Sequence, residues 1–351
     1  MYIHKESTVQ FLPLRWIIPL IIISVCSIYL YFSFQEPIWD LDTQTQTPKS
    51  NEFFSNAITA INKVEIKEKS KAKLGLELFL DPRLSSNGQV SCESCHHIFT
   101  NGAESIPASI GVHGEGTRNS PTLFNISLNT RFFWDGRAAS LEQQLDGPIH
   151  NPLEMDSNWT DIIQFLTSSD HYSNRFKQEY NGDITEATVK DALVTFMATL
   201  NTPDTPFDHY LKGDKRAISQ IAVNGWDKFQ QLGCVFCHQG QNVGGNLFQK
   251  FGNLAALETQ FGDSANNDLG RFDITGDSND RHVFRVPSLR NVAITAPYFH
   301  HGKTETLEEA IIIMARVQLG QELTPMTVVE ISAFLNTLTA PRPAALEELI
   351  Q

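Results

Sequence analysis

The chain has 351 residues and a formal net charge of −13, with lysines and arginines scattered and no basic run, which excludes nucleic acid as a partner. Its length leaves room for two domains of ordinary size. Of five cysteines, one lies in an apolar N-terminal stretch and four fall into two short motifs, so a framework of structural disulfides is excluded too.

The N-terminus departs from the rest. Residues 16–34 (WIIPLIIISVCSIYLYFSF) are apolar and uncharged, about the length a bilayer requires. Lys5 and Arg15 precede this stretch, while Glu36, Asp40 and Asp42 follow it. Positive-inside logic then leaves residues 1–15 in the cytoplasm and the bulk of the chain outside. The expectation is one transmembrane helix anchoring the chain to the inner membrane. A cleavable signal peptide is the competing reading, against which stand the long apolar core and the lack of a small-x-small site after it. Residues 35–68 are polar and mixed, and read as a tether.

Residues 71–80 (KAKLGLELFL) place Leu74, Leu78 and Phe79 on one side of a short amphipathic helix, which Asp81-Pro82 ends. The stretch Ser91-Cys92-Glu93-Ser94-Cys95-His96 follows. It carries the C-x-x-C-H pattern of a c-type haem attachment site. Two cysteines three positions apart can form thioethers to the two vinyl groups of one haem, and the histidine after them can ligate the iron. Residues 98–130 are rich in Gly, Asn, Ser and Thr and predict mostly loop. Residues 161–166 and 185–200 read as helices. Prolines, a glycine and charges cluster over 201–214, where a domain boundary is expected.

A second helix over 221–232 runs into Gly233-Cys234-Val235-Phe236-Cys237-His238, another C-x-x-C-H. A helix leading twice into this motif is an internal repeat and implies two cytochrome c-like domains. A four-cysteine zinc site is the alternative, but the two pairs stand more than a hundred residues apart and each carries its own histidine. Residues 239–280 predict long loops, and 307–319 and 325–338 close the chain as helices. The fold class is therefore all-α: two cytochrome c-like haem domains with long loops, at 69–205 and 206–351, behind the transmembrane helix. Covalent haem attachment follows export, so a periplasmic location is expected.

With these residues in view, the chain resembles the bacterial di-haem cytochrome c peroxidases and, more distantly, the MauG enzymes. The likeness spans roughly residues 70–340. Besides both haem motifs it includes Ser109-Ile110-Gly111, Arg118-Asn119-Ser120-Pro121-Thr122, Phe133-Trp134-Asp135-Gly136-Arg137 and Gly147-Pro148-Ile149 with Asn151-Pro152-Leu153-Glu154-Met155. Further on come Val286-Pro287-Ser288-Leu289-Arg290-Asn291, Thr295-Ala296-Pro297-Tyr298-Phe299-His300, and Met314 before Gln318-Leu319-Gly320. The resemblance implies hydrogen peroxide as substrate. A small cytochrome c or cupredoxin would bring electrons to the second haem, and 69–205 would be the peroxidatic domain.

Each iron needs a sixth ligand or an open position. Beyond the apolar N-terminus the methionines are Met155, Met197, Met314 and Met326. Met314 shares a helical face with Leu307, Ile311 and Val317, where a core methionine would look the same; the resemblance makes it the ligand of the second haem. A tyrosine there would point to MauG-type chemistry. His113, between glycines that let the backbone move, reads as a surface histidine or as the family's displaceable ligand of the first haem. The resemblance also makes Glu154 the catalytic acid/base and Gln144 its neighbour that orients peroxide or water. It makes Trp134 a stepping stone between the haems, and Asn119, Thr295 and Pro297 ligands of one calcium ion. Arg137 suits a haem propionate. A homodimer is allowed. The rival readings are a MauG-like oxidase acting on a protein substrate, and an electron-transfer or sensor cytochrome without peroxidase activity.

Overall fold

Short polar caps start most of the helices. The computed structural model describes residues 57–63, 65–255 and 268–351. In chain order the helices are α1 (Lys69–Leu80), α2 (Leu141–His150), α3 (Trp159–Ser168), α4 (Asp170–Tyr180), α5 (Glu186–Met197), α6 (Pro206–Leu211), α7 (Gln220–Gln231), α8 (Phe272–Thr275), α9 (Leu307–Leu319), α10 (Pro325–Asn336) and α11 (Ala344–Ile350). Ser140, Asn158, Ser169, Thr185, Thr205, Ser219, Thr306 and Thr324 cap eight of them, each accepting from a backbone N–H in the first turn. Gly320, left-handed at φ 62°, ends α9.

The predicted anchor at 16–34, residues 1–15 and the first part of the tether lie outside the described residues. Among the described residues no helix is long and apolar enough to cross a membrane. The all-α expectation needs one correction, because four short strands are present among the described residues. Strands β1 (Ile110–Gly111) and β2 (Gly114–Glu115) form one antiparallel ribbon, and β3 (Phe248–Lys250) and β4 (Val283–Arg285) another. Strands of two or three residues are too short to show a period of two in sequence.

The buried apolar residues gather in two large clusters. In the first, α1 packs on α5 with Phe79 edge-on to Phe196 at 5.3 Å. In the second, α7 packs on α10 through Trp226, Phe229, Phe207 and Phe334. Each helix leading to a C-x-x-C-H motif closes on its partner through a glycine. A Cβ on Gly75 would stand 2.0 Å from the Ala192 carbonyl oxygen, and one on Gly225 would stand 1.8 Å from that of Glu330. Only a glycine lets the backbones approach so closely.

The ends of the described chain cross between the clusters. Leu346 and Leu349 of α11 join the first cluster, although they follow the second motif in sequence. Ile58 joins the second, where Gly240 N–H donates to the Ala57 carbonyl at 2.7 Å and Arg290 to that of Thr59 at 3.0 Å. A solvated tether therefore does not describe residues 57–61. Nor is the expected boundary at 201–214 an open linker. It contains α6, and Thr205, Phe207 and Asp208 are fully buried there. Asp208 meets Arg290 at 2.8 Å with both side chains inaccessible to solvent, so one of the charges that suggested a linker belongs to an internal ion pair.

Candidate functional site

The two motifs adopt the same turn. Residues Cys92–Ser94 and Cys234–Phe236 are 3₁₀ turns following α1 and α7. His96 N–H donates to the Cys92 carbonyl and His238 N–H to that of Cys234, both at 3.0 Å. Burial pushes each imidazole down to about 4, opposed in part by the backbone carbonyls of Pro121 and Gly102 at His96 and of Val243 and Pro287 at His238. Both rings are therefore neutral at pH 7, the form that ligates iron. Cys92, Cys95, Cys234 and Cys237 form no disulfide. Among the described residues no three His, Cys, Asp or Glu converge to hold a metal ion by themselves, so the four-cysteine zinc alternative falls away. The donor sets fit one c-type haem at each motif.

The second motif opens on a deep, mainly apolar cavity. Cys234, Cys237 and His238 line it together with Phe229, Ile311 and Leu335. Met314, on α9, lines the same cavity, so the helical face identified in sequence meets the histidine's surroundings. Trp134 reaches this wall from the first half of the chain. Its indole N–H donates to the Asn119 carbonyl at 2.8 Å, and its own carbonyl accepts from Arg285 N–H at 2.7 Å. Asn119, Thr295 and Pro297 also line this cavity. The Asn119 side-chain N–H donates to the Ile106 carbonyl at 3.2 Å, and its backbone N–H to that of His300 at 2.7 Å.

Around the first motif the key element is the turn carrying Glu154. The β1–β2 ribbon docks on it, with Val112 N–H donating to the Glu154 carbonyl at 2.8 Å. Gly111 is obligatory there, since a Cβ would stand 2.0 Å from the Leu153 carbonyl oxygen. The Glu154 carboxylate accepts from the Asn151 side chain at 2.7 Å. Burial raises its pKa, against Asn151 and the nearby charge of Arg137. It lies close enough to Cys95 to help raise that thiol, which burial pushes up to about 11. The structure thus brings Glu154 to the first motif.

Other expected site residues stand differently. His113, at the tip of the β1–β2 ribbon, is exposed and pairs with Asp156 at 2.8 Å. Gln144, on α2, is half-buried. Arg137 already has a carboxylate partner, Asp135 at 2.6 Å, and lies 3.4 Å over the Phe133 ring.

Several neighbours carried no role in the sequence reading. Arg118 bridges Asp135 at 2.6 Å and Asp268 at 2.7 Å, which raises its pKa. His300 stacks on Phe284 at 4.2 Å and stands edge-on to Trp134 at 6.2 Å; burial pushes it down to about 3. Glu104, near Cys95, is buried and takes a hydrogen bond from Ser109. Arg285 is buried with one terminal nitrogen unpartnered. A charge inside the otherwise apolar run Val283-Phe284-Arg285-Val286 was the available signal for the last.

Known proteins resemble this chain over most of its length. The family profile described as di-haem cytochrome c peroxidase matches residues 69–216. A cytochrome c551 peroxidase of Nitrosomonas europaea is 43% identical over 288 residues, covering 82% of this chain and 85% of that protein. A cytochrome c551 peroxidase of Pseudomonas aeruginosa is 41% identical over 291 residues, covering 82% of this chain and 83% of the other. Among solved structures, a MauG-like protein associated with microbial copper homeostasis superposes with a TM-score of 0.68 at 28% identity, over 82% of this chain and 94% of that one.

Proposed function

This chain belongs to the di-haem cytochrome c peroxidase family, and on that premise we propose that it reduces hydrogen peroxide to water with electrons taken singly from a small cytochrome c or cupredoxin. The balance is one peroxide, two electrons and two protons giving two waters. Bound at the two motifs, the haems supply the electron storage and an iron that can take peroxide.

The chain's own residues make the two sites unequal, and that inequality carries the reading. In the wall of the cavity at the second motif stands Met314, a ligand that raises an iron's potential relative to a second histidine. Beside the first motif stands Glu154, a carboxyl whose burial keeps its proton to higher pH. A group of that kind can take a proton from one peroxide oxygen and deliver it to the other. Gln144 orients peroxide or water, and Trp134 conducts electrons between the haems. His113, held by Asp156 here, is the displaceable ligand of the first iron. Arg137, paired with Asp135, would hold a propionate of that haem. Asn119 through its amide oxygen, with the Thr295 and Pro297 carbonyls, holds a calcium ion with waters. The protein works in the periplasm, tied to the inner membrane by residues 16–34. Met314 in place of a tyrosine disfavours a MauG-type oxidase acting on a protein.

The test uses the two-haem protein, calcium-loaded and reduced at the second haem, with a reduced small c-type cytochrome or cupredoxin. Peroxide is consumed, and Glu154→Gln slows this by about 10²–10⁴-fold while both haem potentials stay in place. A protein that consumes no peroxide with any small donor, or binds none when half-reduced, is an electron carrier and refutes the reading.

A further inference from the structure

Arg285 is the exception among the buried cations. It is 3% exposed, on β4, in the wall of the cavity at the second motif, shared with Trp134 and His238. Its Nε donates to the Phe133 carbonyl at 3.1 Å, while Nη1 is buried without a partner. The other deeply buried guanidinium among the described residues, Arg290, shows what is missing. Arg290 has the Asp208 carboxylate at 2.8 Å and the Thr59 and Gln241 carbonyls at 3.0 Å. Among the described residues no carboxylate comes within ion-pair distance of Arg285, and burial unopposed by any anion pulls its pKa down to about 10. A buried cation without an anion is costly, so buried charges are found paired.

The same wall belongs to the cavity of Cys234, Cys237 and His238, and a haem attached there carries two propionate carboxylates. We propose that Arg285 is a propionate anchor for the second haem, pairing one carboxylate through its free guanidinium edge and raising that haem's potential. A guanidinium presents parallel donors that suit a carboxylate bidentately. A fixed positive charge beside the ring favours the reduced iron, which carries one positive charge fewer. Arg285 is thus a positioning residue, and its role rests on a haem being held at the second motif but not on peroxidase activity.

The experiment measures both haem potentials by spectroelectrochemistry in the intact two-haem protein, in Arg285→Gln and in Arg285→Lys. A haem count on each sample separates failure of the two-haem reading from failure of the anchor. In Arg285→Gln the reduced-to-oxidised ratio of the second haem at a fixed poise falls about tenfold, or about 59 mV for one electron, while the first haem moves less than about twofold. Arg285→Lys, which keeps the charge, stays within about threefold of the parent. An unmoved second haem, equal movement of both haems, or an equal fall in the lysine variant overturns the proposal. Should the glutamine variant not fold with two haems, resonance Raman of the lysine variant decides. The propionate bending mode of the second haem shifts when the guanidinium fork is lost, and an unshifted mode overturns the anchor.

Discussion

Asp208→Asn tests the account of how residues 57–61 and α6 are held to the second cluster. Asp208 and Arg290 meet at 2.8 Å with both side chains inaccessible. The carboxylate also accepts from Ile61 N–H at 3.3 Å and from Thr205 N–H at 3.1 Å. Arg290 reaches Thr59, Gln241 and Thr205, so the pair ties residues 57–61, α6 and the loop after the second motif into one knot. Asparagine keeps the shape but strands the guanidinium in a site closed to solvent. Breaking a buried pair by losing one partner costs about 3–5 kcal/mol, a large share of a typical stability of roughly 5–15 kcal/mol. With a slope of roughly 5 kcal/mol per molar in guanidinium, a 4 kcal/mol loss lowers the unfolding midpoint by about 0.8 M. Adding Arg290→Met removes the stranded charge and recovers part of that loss, though the Thr59 and Gln241 carbonyls then lose a donor. The assay is equilibrium unfolding of the two-haem protein, followed by circular dichroism. A loss below about 1 kcal/mol for Asp208→Asn, or a double variant as unstable as the sum of the singles, refutes the reasoning.

Two further outcomes are expected. Gly111→Ala forces a Cβ to within 2.0 Å of the Leu153 carbonyl and 2.5 Å of the Glu154 Cα, so the turn must move. Peroxide reduction drops at least about tenfold and stability falls by about 1–3 kcal/mol, with both haem potentials unchanged; wild-type turnover contradicts the placement. Glu104 is 4% exposed, and burial raises its pKa above the usual 4.5 against the opposing Ser109 and Ser120 hydroxyls. The folded state then keeps a proton that the unfolded chain has released, so stability falls as pH rises from about 4.5 through the raised value, by at most about 1.36 kcal/mol per pH unit. Glu104→Gln flattens that window, and identical pH slopes in the two proteins contradict it.

What the sequence could carry depends on how local the cause is. The helices before each motif, and α9 and α10, are legible because their apolar spacing matches the face they bury. Met314 falls on such a face, where a ligand and a core-filling methionine look alike, and family likeness alone proposes the ligand. The α2 helix escaped notice because it contains Gly147 and Pro148. The glycine is needed where a Cβ would stand 2.4 Å from the Phe133 ring, a tertiary cause. The α4 helix is polar almost throughout, with only Tyr172 and Phe176 buried. The same limit applies to charge: Asp208 in α6 looks like a linker residue until Arg290, 82 positions away, is placed beside it. Arg285 and His300 acquire meaning only from the cavity they face.

The most direct test of the central claim is a redox titration of the two-haem protein, followed by visible and spin-resonance spectra with peroxide added at each poise. The account predicts two separate one-electron steps, the higher at a methionine-ligated haem lost in Met314→His, and peroxide binding at the other haem of the half-reduced protein. A single bound haem, or two haems titrating together with the same axial ligands, would contradict it.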